Sequence, residues 1–310
     1  MPIPTEVHEL AEQVRTGNRR ALARAISIVE DRKPAADEFL SAIYDGASGP
    51  VVVGITGAPG AGKSSLVSEL ITQIRSGGQT IAVLAVDPSS PFTGGAILGD
   101  RIRMQEHVSD SGVYVRSMST RGHLGGLSDA ASRALVVLAH ADFDVIIVET
   151  VGVGQSETEI AEAADTTLVV VTPGWGDGIQ AAKAGLLEIA DLLVINKADL
   201  AGADEVERDL TLMLEMGPSS GWRPGIVRTS TVEHSGIDEV WDEVLRHREW
   251  LRTNHHGEDR RLMQLSTLIS RAATAELAAR VDGLDVPLDL TRRVASGDLD
   301  PWTAARSLIS

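Results

Sequence analysis

Val51-Val52-Val53-Gly54-Ile55-Thr56-Gly57-Ala58-Pro59-Gly60-Ala61-Gly62-Lys63-Ser64-Ser65 is the stretch on which the fold turns. Val51–Thr56 is a short apolar run rich in β-branched residues and reads as a buried strand. Gly57-x-x-x-x-Gly62-Lys63-Ser64 follows it, and a helical pattern runs from Ser64 to Ile74. Strand, glycine-rich turn and helix in that order make a phosphate cradle. The segment predicted to face phosphate is Gly57, Ala58, Pro59, Gly60, Ala61, Gly62, Lys63, Ser64 and Ser65. Its glycines let the backbone wrap closely, and its N–H groups sit at the positive end of a helix. Lys63 is expected to reach the outer phosphates as a point charge, and the Ser64 hydroxyl to ligate Mg²⁺.

Outward from this stretch, residues 47–252 alternate strand and helix signals. Thr80–Val86, Val113–Ser117, Val145–Glu149, Thr167–Val171, Leu192–Asn196 and Ile226–Thr229 are further short apolar runs. Runs apolar on both faces predict a mostly parallel central sheet covered by helices on both sides, an α/β P-loop NTPase domain. Residues 1–46 show helical spacing at Val7, Leu10, Ala11 and Val14 and again at Leu22, Ala25, Ile26 and Val29, so an N-terminal helical extension is expected. Residues 253–310 revert to helix, with Leu262, Leu265, Leu268, Ile269 and Leu277 on a helical repeat. Such a tail either folds back on the domain or meets a second subunit.

Bulk composition narrows the function. The net charge of −16 disfavours a nucleic-acid partner, which needs a basic surface. Apolar residues make up 43% but aromatics only 3%, so Val, Ile, Leu and Ala must build the core. The absence of cysteine excludes disulfides, thiolate metal sites and Cys nucleophiles, and fits a reducing cytoplasm. No run approaches the roughly 18–20 apolar residues of a membrane helix, and the N-terminus lacks the apolar stretch of a signal peptide.

Two more clusters carry chemistry. Mg²⁺ prefers hard oxygen ligands, and besides Ser64 three acidic residues are candidates: Asp87 and Glu149, each ending a predicted strand, and Asp100 in a Gly-rich loop. Strand carboxyl ends are where such sheets bind ligands. Asn196-Lys197-Ala198-Asp199 follows another strand and matches the guanine-recognition motif. Asp199 accepts two hydrogen bonds from guanine that adenine cannot supply, a discrimination on the order of a few kcal/mol. The stem of Lys197 can lie over the purine, and Ser230 and Thr231, after the last strand, form a second predicted base loop. Gln155 either orients the attacking water or is a solvated loop residue. No intrinsic arginine finger is identifiable in the sequence.

The combination of GAPGAGKSS, VDPSSPFTGGAILGDRIRM, ETVGVGQSE, the 173–183 loop PGWGDGIQAAK and NKAD resembles the MeaB/ArgK-type GTPases. The resemblance is dense over residues 50–200 and extends to the whole layout. It implies GTP and GDP as bound nucleotides, Mg²⁺ held by Ser64, Asp87, Asp100 and Glu149, and a homodimer held by the C-terminal helices. It also implies a chaperone for an adenosylcobalamin-dependent acyl-CoA mutase, methylmalonyl-CoA mutase above all, with Asp177 and Lys183 carrying the partner's signal. Arg101, Trp175 and Gly178 depart from the family pattern and leave the nucleotide residues intact. Two rivals stand beside this reading. A nickel-delivery GTPase is opposed by the lack of Cys and by eight scattered His, of which only His255 and His256 adjoin. An ATPase or kinase accessory of arginine and ornithine transport is opposed by the guanine motif.

Overall fold

A computed structural model describes residues 5–31, 33, 35–46, 49–87, 105–107, 109–119, 129–150, 156–174, 188–216, 221–253, 256–282 and 285–309. The strands are β1 (Val51–Gly57), β2 (Ile81–Asp87), β3 (Val113–Ser119), β4 (Val145–Thr150), β5 (Thr166–Val171), β6 (Leu192–Asn196) and β7 (Gly225–Thr229). The helices are α1 (Thr5–Arg15), α2 (Arg19–Glu30), α3 (Ala36–Ile43), α4 (Lys63–Ser76), α5 (Asp129–His140), α6 (Ser156–Ala163), α7 (Ala203–Met216), α8 (Ile237–Thr253), α9 (His256–Asp282), α10 (Leu288–Ala295) and α11 (Pro301–Ile309). The strands form one seven-stranded sheet in the order β3-β2-β4-β1-β5-β6-β7, and every neighbouring pair is parallel.

Alternation along each strand builds the layers. Val51, Val53, Ile55, Ile81, Val83, Val145 and Ile147 face a core shared with Leu66, Leu70 and Ile74 of α4 and Val240, Trp241 and Val244 of α8. Ala82, Leu84, Ile146 and Val148 point the other way, into a core with α5 and the N-terminal helices. Val169, Val171, Leu193 and Ile195 meet α7 through Val206 and Leu210. The N-terminal helices thus join the main core: Ile26, Val29 and Phe39 are buried with Ala134 and Leu138 of α5. Asn18 starts α2 by accepting hydrogen bonds from the N–H groups of Arg20 and Ala21. Arg116 of β3 pairs with Glu30 of α2 at 2.7 Å.

The amino ends of the strands are fastened by three aspartates. Asp144, Asp165 and Asp191 each immediately precede a strand, and each carboxylate accepts the N–H of a residue in, or just before, the neighbouring one. Asp144 takes Thr80 at 2.7 Å, Asp165 takes Val52 at 2.9 Å and Asp191 takes Thr167 at 2.8 Å. The N–H groups of Asp165 and Asp191 return the bond to the carbonyls of Val52 and Thr167. Arg260, near the start of α9, forks onto both oxygens of Asp191 at 3.0 and 2.8 Å.

Beside Asp191 lies His247, 1% exposed, its Nδ1 2.9 Å from Thr166 Oγ1 and its ring 4.6 Å from that of Trp222. Burial pushes its pKa down to about 4, outweighing the opposing pull of Asp191. A depressed imidazole pKa makes stability complete above the ordinary 6.5 and erodes it as pH falls toward 4. Between those limits the protein should lose about 3 kcal/mol of stability. Chemical denaturation at both pH values tests this. His247→Phe should flatten the loss, and an unchanged acid slope in that variant would reject the assignment.

The chain divides into two compact units, Met1–Gln264 and Leu265–Ser310. In the second, Ile269, Leu277, Leu288 and Trp302 are exposed. Among the described residues no helix is long and apolar enough to cross a membrane.

Candidate functional site

The predicted residues that can be placed converge on the carboxyl edge of the sheet. β1 ends at Gly57, whose φ of +142° and position under the Val170 carbonyl leave no room for a side chain: an added Cβ would sit 2.1 Å from that oxygen. The chain then turns through Ala58, Pro59, Gly60 and Ala61, and α4 begins at Lys63 from Gly62, at φ +85°. A Cβ on Gly62 would meet Asn196 Nδ2 at 2.3 Å, so this glycine lets the phosphate loop and the guanine motif touch. Lys63 is buried, and its ammonium donates to the carbonyls of Gly57 and Ala58 at 2.8 and 3.0 Å. It thereby lies inside the curve of its own loop, among the backbone groups of an anion cradle. Ser65 follows on the first turn of α4.

Ser64 Oγ donates to Glu149 Oε1 at 2.7 Å, although the two residues are 85 apart in the chain. Both are buried. Register explains the meeting: Ile55 of β1 and Ala85 of β2 both pair with Glu149 of β4, so that carboxylate emerges between the strands flanking the loop. Thr150 beside it bonds Thr56 of β1 at 3.3 Å. A hydroxyl and a carboxylate held together are hard oxygen donors suited to Mg²⁺. β2 ends at Asp87, on the same edge, in register with Ser119. The side chain of Asp87, and the whole of Asp100, Gln155, Asp177 and Lys183, lie outside the described residues, as do Arg101, Trp175 and Gly178.

The base side is built from the ends of β6 and β7. Asn196 is fully buried and in register with Thr229, whose hydroxyl donates to Asn196 Oδ1 at 3.1 Å. Asn196 Nδ2 in turn donates to the Ala61 carbonyl at 2.8 Å, fastening the guanine motif to the phosphate loop. Lys197, at φ +58°, reaches Gly60 O at 2.8 Å. Asp199 is exposed, and Ser230 Oγ donates to its Oδ1 at 2.7 Å. Thr231 follows Ser230 in a turn closed by paired backbone bonds between Ser230 and Ser235. Sequence reading placed Thr229 at the head of this loop but not its bond to Asn196, which depends on a strand pairing that no local pattern encodes.

The family model described as methylmalonyl Co-A mutase-associated GTPase MeaB matches residues 22–284. The chain belongs to the MeaB family. The GTPase ArgK of Escherichia coli is 39% identical to this MeaB-family GTPase over 246 residues, covering 76% of this chain and 74% of its own. A Caenorhabditis elegans protein named methylmalonic aciduria type A homolog, mitochondrial, is 31% identical over 329 aligned positions, covering 98% and 82%. A crystal structure named as an LAO/AO transport system kinase resembles the MeaB-family chain with a TM-score of 0.74 at 28% identity, covering 99% and 98%. The match beginning in α2 and ending beyond α9 takes in helices on both sides of the sheet domain.

Proposed function

We propose that this MeaB-family GTPase hydrolyses GTP with Mg²⁺ and thereby switches an adenosylcobalamin-dependent acyl-CoA mutase, methylmalonyl-CoA mutase in first place. The switch gates cofactor loading and protects the loaded mutase. The observation that carries this reading is the family match over residues 22–284. The nucleotide residues found together at one sheet edge support it. Cytoplasmic location and a homodimer are parts of the proposal, the latter supported by exposed Ile269, Leu277 and Trp302.

In this reading Lys63 and the N–H groups of the phosphate loop hold the phosphates and stabilise charge that spreads during attack of water on the γ-phosphorus. Ser64 and Glu149 would hold Mg²⁺, joined by Asp87 and Asp100, and the ion supplies charge neutralisation at the phosphate oxygens. Gln155 orients the water. Asp177 and Lys183 carry the partner's signal. With no arginine finger identifiable in the sequence, the isolated protein should be slow and should speed up when a partner orders the loops.

The test is GTP hydrolysis with and without a purified adenosylcobalamin-dependent acyl-CoA mutase, ATP serving as the control. A rise of at least about fivefold with GTP alone is expected for coupling of ordinary strength. GTP turnover indifferent to the mutase would remove this client. ATP turned over as fast as GTP would overturn the guanine reading and favour the transport-kinase rival.

A further inference from the structure

We propose that Glu69 and His234 form a proton-dependent clasp that holds the guanine-base loop against the phosphate helix, so that nucleotide release is tuned by pH through one imidazole. The proposal rests on the reading of Asn196–Asp199 as a guanine site.

His234 Nδ1 lies 3.0 Å from Glu69 Oε2, and the two residues are 165 apart in the chain. Glu69 sits on α4, the helix that opens with Lys63 and Ser64. His234 sits in the turn between Ser230 and Ser235, so the contact spans the phosphate half and the base half of the site from outside. Its backbone is at φ +51°, a left-handed conformation uncommon outside glycine. The tight turn therefore fixes the direction in which the imidazole leaves the loop.

From His234 the path to the base is short. The N–H of the adjoining Glu233 donates to Ser230 Oγ at 3.2 Å, and the same hydroxyl donates to Asp199 at 2.7 Å. Holding the turn against α4 thus holds the hydroxyl that orients the base-reading carboxylate. His234 is a positioning residue, acting through Ser230 and Asp199.

Glu69 faces the imidazole from α4, Glu233 adjoins it in the turn, and α8 opens with Asp238 and Glu239. The Glu69 carboxylate raises the His234 pKa above the ordinary 6.5. For a base whose pKa is raised by its partner, the interaction is complete below 6.5 and is lost as pH climbs through the raised value. Release of guanine nucleotide should therefore quicken on the alkaline side. The His234 side chain is 71% accessible and that of Glu69 26%, so the effect is modest.

Dissociation of a fluorescent GDP analogue from the full-length protein, measured between about pH 6 and about pH 9, tests the clasp. Wild-type release should rise about two- to fivefold across the range, as suits an exposed ion pair. His234→Gln and Glu69→Gln should release quickly at both ends with a flat profile. His234→Lys, which keeps its charge throughout, should release slowly at both ends. A flat wild-type profile, or a wild-type slope persisting in His234→Gln, overturns the clasp and leaves the guanine reading standing. Failure of the wild type to bind the analogue at any pH overturns the guanine reading and the clasp together.

Discussion

Replacing Lys63 by alanine is expected to weaken GTP binding by about 100-fold or more. The ammonium is buried within the phosphate loop and donates to the carbonyls of Gly57 and Ala58, so it brings positive charge to the place where triphosphate would lie. Removing one partner of a desolvated charge pair costs about 2–5 kcal/mol. The fold should suffer far less. The carbonyls of Gly57 and Ala58 lose a donor, which costs about 1 kcal/mol. Lys63→Arg is no rescue, because a planar fork does not fit a loop closed around a point charge. Equilibrium titration with GTP, alongside a melting curve, separates the two effects. A dissociation constant unchanged in a folded Lys63→Ala protein would remove the phosphate-cradle assignment.

Asp199→Asn should exchange one purine preference for another. Ser230 Oγ already donates to one oxygen of Asp199. An asparagine that keeps its oxygen toward Ser230 turns an NH₂ group toward the base. That group cannot accept from guanine, and GTP affinity should fall by about 100-fold, as when a site built for a polar partner is left unmatched. The 2-oxo group of xanthine accepts from the same NH₂, so xanthosine triphosphate should bind the variant better than GTP does. Titrations with both nucleotides decide the matter. Unaltered GTP binding would mean that Asp199 does not read the base, and loss of both nucleotides would mean that the substitution disturbed the loop and not the selectivity.

The strands were legible because buried parallel strands are runs of Val, Ile, Leu and Ala with little else to interpret. Val145–Glu149 and Leu192–Asn196 were predicted to within a residue of β4 and β6. The phosphate loop and the guanine motif were legible because each packs its chemistry into consecutive residues. Strand order was not, since apolar alternation says which face is buried but not which neighbour lies alongside. The Ser64–Glu149 contact follows from that order, as does Thr229 on Asn196. The tail shows a second limit. Sequence reading begins it at residue 253, while the first compact unit runs to Gln264. The opening turns of α9 are tied to this unit by polar contacts, Arg260 to Asp191 and Gln264 to the Ala164 carbonyl, and apolar periodicity carries no trace of such pairs.

The three aspartates that fasten the amino ends of the strands have a consequence for how such a molecule changes over generations. Register is set at that rim by Asp144, Asp165 and Asp191 bonded to Thr80, Val52 and Thr167. Insertions or exchanges in the loops at the opposite rim then leave strand pairing undisturbed. Loop sequences can then diverge as replaceable parts, without rebuilding the frame that carries them.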